Sequence, residues 1–325
     1  MGYLQQGVWH TGWYDTGKTG GEFVRQESAF RDWITADGSS RFPAEPGRYH
    51  LYVSLACPWA HRTLIFRALK KLDSAISVSV VEPVMGDDGW AFGDGDTSDS
   101  ANHAGYLRDI YLAANPNYSG RVTVPVLWDK RTHTIVNNES AEIIRMLNSE
   151  FNAYTDVRTD YYPSALRAQI DEINKYVYDF INNGVYRCGF ATRQSVYERA
   201  FDRLFGALDE VEARLSRSRY LVGNTLTEAD WRLFTTLLRF DAVYYGHFKC
   251  NRQRIEDYPN LSSYLRDLYQ VPGVAATVNM DHIKQHYYAS HRHINPTGIV
   301  PKGPLLDFAR PHDRARFTAH NKETT

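Results

Sequence analysis

Among the three cysteines of this 325-residue chain (Cys57, Cys188 and Cys250), only Cys57 opens a helical pattern directly after a strand pattern. It does so within the run Tyr49-His50-Leu51-Tyr52-Val53-Ser54-Leu55-Ala56-Cys57-Pro58-Trp59-Ala60-His61-Arg62. The alternating apolar residues of positions 49–55 read as a strand, and Pro58 suits a first helical turn, where no intrahelical N–H is lost. Cys57 is therefore expected at a helix N-terminus. Unpaired N–H groups and the positive end of the helix dipole favour an anion there, and such a site can lower a cysteine pKa from about 8.5 to roughly 3.5–7.5. The chemistry is that of a thiolate nucleophile, and the competing reading is a buried structural thiol. A dithiol oxidoreductase would carry a second cysteine three residues on, and that position is Ala60. The resolving thiol must then come from outside the protein, and the abundant cytosolic thiol is glutathione.

The elements that must position this sulfur can be read outward from it. The strand at 49–55 and a helix from Cys57 to about Lys71 are followed by a strand at Ile76–Val81, a crossover that implies a parallel pair. Residues 85–119 read as a long insertion with Trp90 at its centre, an aromatic ring in a Gly/Asp loop that suggests a lid. Asp94, Asp96 and Ser98 alternate like calcium ligands, but the sixth position is Asp99 instead of glycine and the twelfth is Gly105 instead of glutamate. Residues 121–129 and 132–136 read as a hairpin in which Pro125 marks an edge, a bulge or a cis bond. Asn137-Asn138-Glu139-Ser140 then leads into an amphipathic helix at 141–147. This β-α-β, insertion, β-β-α order matches a thioredoxin-like half. From about 160 onward the pattern is helical, and Thr227 with Asp230 reads as a capping box.

Residues 1–45 read as an extension packed on a domain, 46–155 as the thioredoxin-like domain, 160–310 as an all-α domain and 311–325 as a tail. Hydrophobic residues at 43%, charged residues at 23% and a net charge of −1 describe a globular protein with no bias toward nucleic acid or an anionic membrane. Three widely spaced cysteines fit neither a disulfide framework nor a zinc cluster, so a cytoplasmic setting is expected. No signal peptide or membrane span is evident. The chain holds 22 Tyr, 15 Phe and 7 Trp, and a surplus of phenol hydroxyls suits a site that binds a flat ring and moves a proton.

Cys-Pro-Trp-Ala after a strand, a Val-Pro strand, a Glu-Ser pair before a helix and an all-helical second half together resemble a glutathione transferase. The runs Cys57–Arg62 and Arg121–Asp129, with the stretch from His286-Tyr287-Tyr288 through Ile294-Asn295-Pro296 to Ile299-Val300-Pro301, narrow the resemblance to the glutathionyl-hydroquinone reductases, the Xi class. The resemblance extends from about Trp33 to about residue 310. It implies a thioredoxin-like N-terminal domain, an all-α C-terminal domain, a homodimer and glutathione as cosubstrate, with no metal. It also implies a reaction in which glutathionyl-hydroquinone and glutathione give hydroquinone and glutathione disulfide.

By the same resemblance Cys57 is the nucleophile, Tyr186 the proton donor, and Tyr244 and Tyr287 line the ring pocket; Tyr245 and Tyr288 are the neighbours most easily confused with them. Val124 would pair its backbone with the cysteinyl part of glutathione, with Val122 and Thr123 beside it. Glu139 and Ser140 would hold the γ-glutamyl group, Ser140 also suiting an N-cap, and Trp90 and Arg121 would contact the rest of the tripeptide. His282, His286, His291 and His293 lack the companions of a metal site, and Cys188 reads as a packing thiol. Two rival readings share the cysteine or dispense with it: an omega-like thiol transferase or dehydroascorbate reductase, and a non-catalytic binding module.

Overall fold

The computed structural model describes residues 1–319. Its strands are β1 (Gly2–Gln5), β2 (Val8–Thr11), β3 (Ile34–Thr35), β4 (Phe42–Pro43), β5 (Tyr49–Val53), β6 (Ile76–Val80), β7 (Gly120–Arg121), β8 (Val126–Asp129) and β9 (Thr134–Asn137). Its helices are α1 (Pro58–Leu69), α2 (Leu107–Ala114), α3 (Ser140–Ser149), α4 (Arg167–Val177), α5 (Gly184–Gly189), α6 (Gln194–Leu215), α7 (Glu228–Arg239), α8 (Pro259–Tyr269) and α9 (Met280–Ser290). Two compact units result: residues 1–14, 25–159 and 276–300 form the first, and 15–24, 160–275 and the segment from 301 onward form the second.

The first unit is built on a sheet in the order β6-β5-β8-β9. β5 pairs parallel with β6 and antiparallel with β8, and β8 pairs antiparallel with β9. All five β5 residues are buried, as expected for a central strand covered on both faces. α1 packs against α3, and α2 against β9.

Three features depart from the sequence expectation. The 85–119 segment is not only loop, since α2 forms within it, its first turn fixed by Asp109 Oδ2 accepting from the Tyr106 N–H at 3.0 Å. The run 121–129 is not one strand. The chain breaks at a cis Val124–Pro125 bond, so that Gly120 and Arg121 pair with Leu4 and Tyr3 of β1 while 126–129 joins the main sheet. Finally, 276–300, read as part of the helical half, belongs with the first unit, and 15–24 of the N-terminal extension with the second.

In the second unit α6 packs against α5 and α8, and α7 against α4 and α8. α7 starts as its sequence signals: Asp230 Oδ2 accepts from the Thr227 N–H at 2.8 Å, and Asp230 Oδ1 from the Leu221 N–H and the Tyr264 hydroxyl. Trp231, Leu233 and Phe234 behind it are fully buried. Single π-helical turns at Tyr178–Asn182 and Phe240–Tyr244 follow α4 and α7. The segment expected to be a tail is anchored here: Arg314 is buried and donates to the carbonyls of Leu215 and Arg219 at 2.8 Å each. Positions 320–325 of that segment lie outside the described residues. Among the described residues no helix is long and apolar enough to cross a membrane.

Candidate active site

Cys57 caps the N-terminus of α1 in an extended conformation (φ −76°, ψ 123°), with Pro58 as the first helical residue. Its carbonyl accepts from His61 N–H at 3.0 Å, the first bond of the helix. The sulfur is half-buried, whereas Cys188 and Cys250 are fully enclosed. Burial pushes the Cys250 thiol well above its usual range, with the neighbouring Cys188 thiol adding to the effect. Both therefore behave as packing thiols, and the only half-exposed sulfur of the three is the one at a helix end.

The segment 122–124 runs past this sulfur, and the Cys57 thiol donates to the Val124 carbonyl at 3.7 Å. Thr123 is clamped on both sides by one phenol: the Tyr111 hydroxyl donates to the Thr123 carbonyl at 2.8 Å and accepts from its N–H at 3.2 Å. Asn138 Nδ2 donates to the same oxygen at 3.1 Å. Burial pushes the Tyr111 phenol up, so it stays protonated and able to donate. Tyr111 was not singled out from the sequence, because α2 itself was unrecognised; its amphipathic run Leu107–Ala114 was the available signal, whereas Asn138, in the segment read as leading into α3, carries no local sign of this partner.

Glu139, and not Ser140, is the N-cap of α3: its Oε1 accepts from Ala141 N–H at 3.1 Å and its Oε2 from the Ser28 hydroxyl at 3.0 Å. Ser140 is the first helical residue, buried, and its hydroxyl accepts from Arg62 Nη1 at 3.4 Å. Arg62, fully buried in α1 with its guanidinium 4.5 Å from the Trp59 ring, brings positive charge to the start of α3. A carboxylate N-cap, the positive end of the α3 dipole and a buried guanidinium thus meet at one place, a setting of mixed charge.

Trp90 is 6% exposed and stacks on His286 with ring centroids 4.8 Å apart; His286 Nδ1 lies 3.1 Å from the Pro83 carbonyl. Arg121 is differently employed than expected. Nη1 donates to the Gly12 carbonyl at 2.8 Å and to the Gly2 carbonyl at 3.2 Å, Nη2 donates to the Trp13 carbonyl at 2.8 Å, and the guanidinium lies 4.3 Å from the Tyr14 ring. Val122 is buried beside it.

The first unit thus gathers Cys57, Trp90, Arg121, Val122, Thr123, Val124, Glu139, Ser140 and Tyr287. Tyr287 on α9 is 1% exposed, its ring edge-on to His286 and His291 at 5.2 and 5.4 Å. The second unit gathers Tyr186 and Tyr244, 6.0 Å apart, with Phe248 stacked on Tyr244 at 5.4 Å and against Tyr186 at 5.5 Å. Tyr244 and Tyr287 are buried, while Tyr245 and Tyr288 are partly exposed. Asp99 of the supposed calcium loop accepts from the N–H groups of Ala101, Asn102 and Ala104 and from the Tyr52 hydroxyl; it fixes the loop. Among the described residues no three His, Cys, Asp or Glu side chains are grouped to hold a metal ion.

A thioredoxin-like unit with its cysteine at a helix N-terminus beside a Val–cis-Pro segment, joined to an all-helical unit, defines a cysteine-type glutathione transferase. The glutathione S-transferase N-terminal domain family matches residues 56–150, and the corresponding C-terminal domain family matches 194–267. Glutathionyl-hydroquinone reductase YqjG of Escherichia coli K12 is 58% identical over 97% of this chain and 98% of its own. Its glutathione-bound structure superposes with a TM-score of 0.89 over 96% of this chain and 99% of that one. Glutathionyl-hydroquinone reductase PcpF of Sphingobium chlorophenolicum is 56% identical over 94% of this chain and 96% of its own. A Xi-class glutathione transferase from Natrialba magadii matches with a TM-score of 0.90 at 50% identity, covering 97% of each chain. The chain belongs to the glutathionyl-hydroquinone reductases, the Xi class of the glutathione transferases.

Proposed function

We propose that this enzyme reduces glutathionyl-hydroquinones to hydroquinones with glutathione as cosubstrate, through a Cys57–glutathione mixed disulfide. The Cys57 thiolate attacks the glutathione sulfur of the conjugate; the S–S bond forms, the ring C–S bond breaks, and its electron pair stays on the ring carbon. Carbon leaves poorly unless it is protonated as it leaves, and the Tyr186 hydroxyl supplies that proton. Tyr244 and Tyr287 line the ring site. A second glutathione thiolate then attacks the mixed disulfide, releasing glutathione disulfide and restoring Cys57, while its proton returns to Tyr186. The ring carbon is reduced and two glutathione sulfurs are oxidised, so no further redox partner is needed.

The observation that carries this reading is the half-exposed Cys57 at the start of α1, 3.7 Å from the Val124 carbonyl. Glutathione lies with its cysteinyl amide on Val124, its γ-glutamyl group at Glu139 and Ser140, and the remainder toward Trp90 and the 121–123 backbone. That the E. coli relative has a glutathione-bound structure supports this cosubstrate. Three cysteines outside any disulfide support a reducing, cytoplasmic setting, and the family resemblance supports a homodimer. Product analysis tests the function: one hydroquinone and one glutathione disulfide should appear per conjugate consumed, and none with Cys57→Ser. Release of the hydroquinone by the Cys57→Ser enzyme would overturn it.

A further inference from the structure

Two backbone arms carry the glutathione contacts proposed above, 86–90 leading to Trp90 and 118–124 leading to Val124, and one N-terminal hairpin holds both. On the second arm, Tyr3 and Leu4 of β1 pair with Arg121 and Gly120 of β7, extending a three-stranded sheet in the order β2-β1-β7. The turn of the hairpin adds Gly7 N–H to the Tyr118 carbonyl at 3.1 Å and Gln6 N–H to the Ser119 hydroxyl at 2.8 Å. The Arg121 fork, spent on the carbonyls of Gly2, Gly12 and Trp13, binds this arm to both ends of the hairpin.

On the first arm the anchor is Trp9 of β2. Its indole N–H donates to the Asp87 carbonyl at 3.0 Å, and the Thr11 hydroxyl donates to the same oxygen at 3.3 Å. The indole lies flush on the turn before Trp90: a Cβ added at Gly89, where φ is +83°, would fall 2.8 Å from Trp9 Cη2. Only glycine satisfies both that backbone angle and that approach. The Arg108 guanidinium, 5.2 Å from the Trp9 ring centroid, donates to the Asp88 carbonyl at 2.9 Å, closing the other side of the turn.

We propose that Trp9 is a positioning residue for glutathione: the β1–β2 hairpin spans the arm that ends at Trp90 and the arm that ends at Val124, and Trp9 fixes the distance between them. This rests on the glutathione site proposed above. The backbone bonds of β1 with β7 settle one arm, whereas the other is held by the side chains of Trp9 and Thr11 and by the Met1 ammonium on the Gly86 carbonyl at 2.6 Å, and of these it is Trp9 that covers the turn before Trp90. The bonds of Trp9 and Thr11 described above go to Asp87, in the arm before Trp90, so the Cys57 sulfur keeps its helix end when Trp9 changes. Trp9 touches no reacting atom; its effect is on the spacing of a two-point backbone clamp, which is felt in ground-state binding of the tripeptide.

The test is glutathione affinity by titration calorimetry in full-length protein carrying Cys57→Ser, with Trp9 intact, as Trp9→Phe and as Trp9→Ala, alongside the rate at which Cys57 reacts with iodoacetamide in enzyme that retains the cysteine. Trp9→Phe keeps a ring on Gly89 and loses only the bond to Asp87, and should weaken glutathione about fivefold, the worth of one hydrogen bond. Trp9→Ala should weaken it by more than tenfold, and the alkylation rate should stay within twofold throughout. Unchanged affinity in Trp9→Phe, or alkylation that slows in parallel with the loss of affinity, overturns the proposal. If Trp9→Ala fails to fold, the phenylalanine variant decides. Absence of glutathione binding with Trp9 intact would instead overturn the proposed function on which the inference stands.

Discussion

The Cys57 thiol and the Val124 carbonyl oxygen, 3.7 Å apart, join the start of α1 to the residue before the cis-proline. A carbonyl oxygen accepts from a thiol but offers nothing to a thiolate. Ionisation therefore gives up this weak contact while gaining the N–H groups of the helix end. An amide N–H of bound glutathione donating to the same carbonyl would take the thiol's place there. On the proposed binding mode, cosubstrate binding and nucleophile activation would be two uses of one oxygen.

Cys57→Ser should consequently keep glutathione binding while losing turnover. A hydroxyl can occupy the same contact, but it is a far weaker nucleophile, and kcat should fall by roughly a thousandfold or more. Calorimetry with glutathione and steady-state turnover of a glutathionyl-hydroquinone check the two halves of this statement.

Tyr186→Phe separates proton donation from thiol exchange. Loss of a general acid costs roughly 10²–10⁴ in rate, but only where carbon is the leaving atom. Reduction of the glutathionyl-hydroquinone should fall by that order, whereas exchange with a small glutathione mixed disulfide, whose leaving group is sulfur, should persist. Equal activity of the variant on both substrates would indicate an omega-like thiol transferase instead.

Tyr111→Phe should loosen the segment that meets glutathione without touching the sulfur. Its hydroxyl serves the N–H and C=O of Thr123 and the amide of Asn138. Deleting it leaves these groups short of a partner in a buried setting, at about 1–3 kcal/mol. Lower thermal stability and a several-fold higher KM for glutathione, with kcat largely retained, are the expected readings.

His50 gives the sheet a pH dependence of definite sign. Burial depresses its pKa from 6.5 to about 4, and its Nδ1 sits 2.7 Å from the Ser77 hydroxyl. The unfolded chain therefore binds more protons between those values, so this contribution to stability is complete above pH 6.5 and is lost as pH falls toward 4. Asp230, pushed up to about 6 by burial, acts in the opposite direction, so the comparison must be made with a variant. The stability advantage of wild type over His50→Gln should shrink by about 3 kcal/mol between pH 7.5 and pH 4, as measured by chemical unfolding at each pH.

Much of this architecture was legible because local signals coincide with tertiary need. Pro58 after a strand pattern suits the first turn of a helix, which places Cys57 at its end, and the Thr227–Asp230 pair marked the start of α7 to the residue. What was not legible depended on distant partners. β1 and β7 are two short strands that define each other across more than a hundred residues, and neither carries enough alternation to be read alone. α2 was hidden by the Gly/Asp segment before it and opens on a tyrosine, which is not a usual cap. The employment of Arg121 was the hardest to foresee, because an arginine fork meets three carbonyl oxygens as readily as a carboxylate, and only the folded hairpin brings those carbonyls together.

The covalent intermediate is tested most directly by mass spectrometry of the protein after mixing with one equivalent of glutathionyl-hydroquinone in the absence of free glutathione. The account predicts one hydroquinone released per enzyme and one glutathione disulfide-bonded to Cys57, removed on adding glutathione. Hydroquinone release with Cys57 unmodified, or glutathione found on Cys188 or Cys250 instead, would contradict it.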